Sequence, residues 1–145
     1  MKSEMTLLGI MLPLIGLALI ILTGCASNST PEGQAQNAAT YGQASQVTSY
    51  GISCWVLSLS KGDAVDLAEK KVIFADVVKY LKLAKEQGFN GAQIASGFIG
   101  QVPAKAHWQT YVKTIQDVLR YASGNEAKAI VGGLINGIEN AVAAF

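Results

Sequence analysis

Ala104-Lys105-Ala106-His107-Trp108-Gln109-Thr110-Tyr111-Val112-Lys113-Thr114-Ile115-Gln116-Asp117-Val118-Leu119-Arg120-Tyr121-Ala122 decides the fold class. Trp108, Tyr111, Val112, Ile115, Val118, Leu119 and Ala122 recur at steps of three and four residues. That spacing lays one apolar stripe along an α-helix. Pro103 stands where a first helical turn tolerates it, and Gly124 supplies a stop. The pattern predicts an amphipathic helix over 104–122.

Two similar patterns flank it. On the C-terminal side, Asn125 is a good N-cap. Ala127, Ile130, Val131, Leu134, Ile138, Ala141, Val142 and Phe145 share one face of a helix over 126–143. Gly133 and Gly137 are four residues apart, a spacing that lets helices approach closely. Lys128, Asn136, Glu139 and Asn140 argue against this helix spanning a bilayer, because charges at depth are costly.

On the N-terminal side, Asp63 opens a helix over 63–87 that Gly88 ends. Leu67, Phe74 and Leu81 recur every seven residues, joined by Ile73, Val77, Val78 and Tyr80. Val65, Val72 and Leu83 make a second stripe, so this helix is expected to lie centrally, covered from two sides. Asp66 with Lys70, Asp76 with Lys79, and Lys82 with Glu86 are spaced as intrahelical ion pairs, each worth tenths of a kcal/mol. Lys79, Lys82 and Lys85 sit near the negative end of the helix dipole and read as a solvated face. Between the long helices, Asn90 caps a short Gly-rich helix over 91–101. Ile94 and Phe98 form its apolar face, and Gly91, Gly97 and Gly100 weaken it in isolation.

The expectation is an all-α fold: a small up-and-down bundle of three main helices plus one short Gly-rich helix, because the connections are short. The bundle occupies residues 47–145. Within it, Val47–Ser60 fits a strand or a helix equally, and Trp55 is expected to pack into the core. Ala26–Gln46 is rich in Ser, Thr, Asn, Gln, Gly and Ala, with Tyr41 its one large apolar side chain. Such a stretch buries too little surface to offset its ordering entropy, so it reads as a flexible spacer reaching about 25 Å.

Residues 5–22 are apolar apart from Thr6 and end in Leu22-Thr23-Gly24-Cys25. These four residues resemble the lipobox of bacterial lipoprotein signal peptides. Thr23 and Gly24 let a peptidase reach the backbone, and the thiol after the cut takes the lipid. The resemblance covers about the first 25 residues and departs from the family at Glu4, which offsets Lys2. It implies removal of 1–24, diacylation of Cys25 and a lipidated linker over 25–46. Ala26, rather than Asp, implies passage to the outer membrane, facing the periplasm, in a Gram-negative host. Two or three acyl chains anchor stably where one does not.

Eleven basic and ten acidic residues leave a formal charge of +1, which argues against nucleic acid as a partner. If Cys25 carries lipid, Cys54 is the odd cysteine, either a small apolar core residue or a thiol for an intermolecular bridge. His107 is the lone histidine, so no histidine cluster can hold a metal. A triad with Asp117 lacks a nucleophile elbow. No catalytic residue, metal site or cofactor is expected. The chain reads as a lipid-anchored, non-catalytic envelope module that binds or scaffolds a protein partner. The alternative is a membrane-active or self-associating protein. Gly97, Gly100, Gly133 and Gly137 are the candidate interaction surface.

Overall fold

The computed structural model describes residues 31–120, 122 and 126–145. Five α-helices follow in order: α1 (Pro31–Ser58), α2 (Ala64–Glu86), α3 (Gly91–Phe98), α4 (Ala106–Leu119) and α5 (Glu126–Ala144), with a 3₁₀ turn Ile99–Gln101 after α3. The fold is all-α. Cys25, and the capping and stop positions Asn125 and Gly124, lie outside the described residues.

Residues 31–46, expected as the greater part of a flexible spacer, are instead the first half of α1, and 47–58 complete the same helix. There are thus four long helices rather than three. The reason lies in what covers α1. Ala44, Ile52, Val56 and Leu57 are buried, and so are Asn37, Ser45, Thr48, Ser49 and Ser53. These positions step by three and four and define one face, but half of them are small and polar. The covering element is α5, and the two run parallel. Ser45 Oγ donates to the Ile130 carbonyl oxygen at 2.9 Å, and Ser49 Oγ donates to that of Leu134 at 3.1 Å.

Glycine makes this approach feasible. A Cβ on Gly133 would land on the Gly42 carbonyl oxygen and Ser45 Oγ. One on Gly137 would meet Ser49 Oγ and lie 2.8 Å from the Tyr50 backbone nitrogen. Gly42, Ser45 and Ser49 therefore mesh with Ala129, Gly133 and Gly137, small residues on both helices. The Ser45 and Ser49 hydroxyls find carbonyl partners across the seam, which offsets the cost of burying them, whereas Thr48 Oγ1 and Ser53 Oγ are buried without a hydrogen-bond partner.

α2 begins at an Asp63 cap whose carboxylate accepts from the backbone N–H of Val65 and Asp66 at 3.0 Å. It ends before Gly88, whose φ of 69° suits a residue without Cβ. Its buried face comprises Lys70, Phe74, Val77, Val78, Leu81 and Ala84. The second stripe is not covered: Val65, Val72 and Leu83 are exposed, so α2 packs on one side and is not central. Lys82 also departs from expectation. It pairs with Glu139 of α5 at 2.7 Å rather than with Glu86, and this cross-helix pair sets α2 antiparallel to α5. Asp66 and Lys70 do pair, at 2.6 Å.

α3 carries a full capping box, with Asn90 Oδ1 accepting from Gln93 N–H and Gln93 Oε1 accepting from Asn90 N–H, both at 2.9 Å. It closes at Phe98, and the rest of the expected helix to 101 is the 3₁₀ turn. Gly91 lets α3 sit against the end of α4, where a Cβ would strike the Leu119 carbonyl oxygen. α4 starts at Ala106, two residues later than expected, because Pro103 and Ala104 lie in the connection and Lys105 is the N-cap.

The chain reverses direction at each connection. With α1 as a fifth helix, the first and last elements run parallel side by side. Where α2, α3 and α4 meet, Phe74, Trp108, Tyr111 and Phe98 form an aromatic cluster with centroid distances of 5.1 Å (Phe74–Trp108) and 6.0 Å (Phe98–Tyr111).

Candidate functional site

The four glycines proposed as an interaction surface have different fates. Gly133 and Gly137 are buried in the α1–α5 seam, so they are spent on a contact inside the chain and are closed to an outside partner. Gly97 is exposed, yet its open side is filled by the Tyr80 ring, whose hydroxyl donates to the Ile94 carbonyl oxygen at 2.9 Å. Gly100 meets open space. The structure does not bring the four together.

His107 is half-buried in the first turn of α4, with Nε2 enclosed and without a hydrogen-bond partner. Burial holds its pKa below the ordinary 6.5, reinforced by the Lys70 and Lys105 ammoniums and opposed by Asp66. Asp117 is ten residues further along the same helix, about 15 Å by helical rise, and faces Arg120 at 3.5 Å. The two cannot act as one catalytic unit. Beside His107, Lys70 is buried and donates to Ser60 Oγ at 2.9 Å and to Asp66. Ser60 thus accepts from an ion-paired ammonium, the reverse of the arrangement that activates a nucleophile.

Cys54 is half-buried beside Tyr50. Burial pushes its thiol up, against a hydrogen bond with Tyr50 that lowers it, which gives little thiolate at neutral pH. Among the described residues, no group of three or more His, Cys, Asp or Glu side chains could hold a metal ion.

The concave feature with chemical character lies between the end of α2 and the start of α5. Lys85, Gly88, Phe89, Asn90, Ala127, Lys128 and Val131 line a cleft of about 180 Å³. Ala127 and Val131 give it apolar surface, Lys85 and Lys128 bring two ammoniums, and no carboxylate is among the described residues that line it. Neither Lys85 nor Lys128 pairs with an acid among the described residues, whereas Lys70, Lys82 and Arg120 do. Phe89 is exposed at the rim, in the turn that Gly88 creates. Sequence reasoning placed Lys85 on a solvated face, used Lys128 only against a bilayer-spanning helix, and passed over Phe89. Lys128 lies some forty residues from Lys85, and no local pattern signals that α5 returns it to this spot.

No family model, curated protein or solved structure matches the chain.

Proposed function

We propose that this protein is a lipid-anchored, non-catalytic module of a bacterial cell envelope that binds or scaffolds a protein partner there. The observation that carries this is Leu22-Thr23-Gly24-Cys25 behind an apolar run, with only five residues between Cys25 and the first turn of a packed helical domain at Pro31. The steps from Cys25 to Pro31 span at most about 20 Å, so a lipid on Cys25 would hold the bundle against the headgroup layer rather than on a long leash. Among the described residues no helix is long and apolar enough to cross a membrane, so the anchoring falls to Cys25 and the segment before it. The separation of His107 from Asp117, and the ion-paired state of Lys70, supply no support for an enzyme.

The membrane-active alternative drew on Gly133 and Gly137, and both already face α1. In an outer-membrane setting, the bundle would present its lateral faces to the partner.

Mass spectrometry of the protein purified from its host tests the anchor. An N-terminal peptide beginning at Cys25 and carrying acyl chains is expected. An intact Met1, or an unmodified thiol at residue 25, would replace the anchor with a retained hydrophobic segment.

A further inference from the structure

The cleft between α2 and α5 lies at the end of the bundle where the chain enters. α1 and α5 run parallel with Gly42 beside Ala129, so their N-termini point the same way. By helical rise, Pro31 lies only about 12 Å beyond the level of Glu126 along the axis. The opposite end of α1, at Ser58, is about 40 Å from Pro31. With Cys25 within about 20 Å of Pro31, the end bearing Lys85, Phe89, Asn90 and Lys128 is the one an anchored chain brings to a bilayer.

We propose that this cleft binds the phosphate of an anionic phospholipid headgroup, with Phe89 seated at the interface. The inference rests on the lipid-anchor reading above. Lys85 and Lys128 approach from two helices and leave the phosphate oxygens two charge-assisted donors. The Oδ1 atom of Asn90 is occupied by the Gln93 N–H, which leaves its Nδ2 as a third donor at the rim. Among the described residues, no carboxylate lines the cleft and neither lysine has an acidic partner, which makes the site complementary to an anion. Phe89, an exposed aromatic in a turn between helices, suits the boundary between headgroups and acyl chains. The cleft holds the lipid for orientation. An acyl anchor alone leaves the bundle free to swivel, whereas a second contact fixes which faces look away from the membrane.

Lysine acetylation footprinting on the protein purified from its host and reconstituted in vesicles tests this. Three samples are compared: neutral phosphatidylcholine, the same lipid with about one third phosphatidylglycerol, and neutral vesicles with inorganic phosphate. Each lysine near an anionic surface contributes enough to change occupancy about fivefold. Labelling of Lys85 and Lys128 is therefore expected to fall about fivefold in the anionic vesicles alone, with Lys71 and Lys113 unchanged as internal controls. Phe89→Ser is expected to restore part of the labelling. Equal protection by inorganic phosphate would assign the site to a free anion and overturn the lipid. Protection that needs added envelope protein would assign it to a protein. The same digest reads Cys25: an unmodified thiol defeats the anchor reading, while unprotected lysines on an acylated chain defeat the cleft alone.

Discussion

His107 shows how one half-buried side chain ties stability to pH. Its pKa is depressed in the folded chain, so the unfolded chain takes up the proton first as pH falls. The stability tied to a neutral His107 is therefore whole above about 6.5 and is lost as pH falls from there towards the folded value. Asp66, whose carboxyl is held low by its hydrogen bonds to Lys70 and Ser60, contributes in a separate window, lost as pH falls below the ordinary carboxylate range. Melting profiles from pH 7.5 to 5 should show a smaller decline for His107→Gln than for the parent chain. Parallel profiles would mean that the imidazole is not the group that titrates. The sequence placed His107 in the first turn of a helix, but not the enclosure of Nε2 or the field of the Lys70 ammonium from α2.

The α1–α5 seam carries the main lesson at the level of the element. Periodicity of large apolar residues identified α2, α4 and α5, because each buries Leu, Ile, Val or aromatic side chains at helical steps. It missed α1, whose buried stripe mixes Ala44, Ile52, Val56 and Leu57 with Asn37, Ser45, Thr48, Ser49 and Ser53. Small residues bury little area each, so a hydropathy reading sees a polar linker. Their contribution comes from close backbone approach, dispersion and hydroxyl–carbonyl hydrogen bonds. The legible trace was a match between two distant segments, Gly42/Ser45/Ser49 and Ala129/Gly133/Gly137, which neither segment shows alone. A large side chain at the seam should be costly: Gly137→Leu is expected to destabilise by about 3 kcal/mol, lowering the melting temperature by roughly 10 °C. Gly100→Ala adds a methyl into open space and should stabilise by about 0.5 kcal/mol. Comparable effects at the two glycines would show that α5 does not pack on α1 as described.

For the whole molecule, α1 changes how the domain is held. The last helix has its longest partner in the first, so the two ends of the described chain close the fold together, and neither is an appendage. Replacing residues 31–46 with a Gly-Ser segment of equal length keeps the distance to Cys25 but removes half of α1. Ala129, Ile130 and Gly133 would lose their contacts with Gly42 and Ser45. The expected result in thermal circular dichroism is a fall in melting temperature of more than about 10 °C, with a broadened transition. A slack spacer over the same residues would leave the transition unchanged. The exposed stripe of Val65, Val72 and Leu83 on α2 belongs to this scale too. Its spacing was visible in the chain, but the buried face of α2 is the other stripe, and Val65, Val72 and Leu83 stay exposed.

By itself, the sequence determined the helical class, the three helices with large apolar stripes, the Asp63 and Asn90 caps, and the Gly88 stop. These follow from local chemistry: side-chain period, orphan backbone N–H groups and the conformational freedom of glycine. Only the tertiary structure decided that a polar, small-residue segment would be a core helix, that Gly133 and Gly137 would be used internally, and that Lys85, Phe89 and Lys128 would share one cleft. Each depends on which segment lies beside which. Small residues gain stability only when a matching surface comes within backbone contact, and no feature of either segment alone specifies its neighbour.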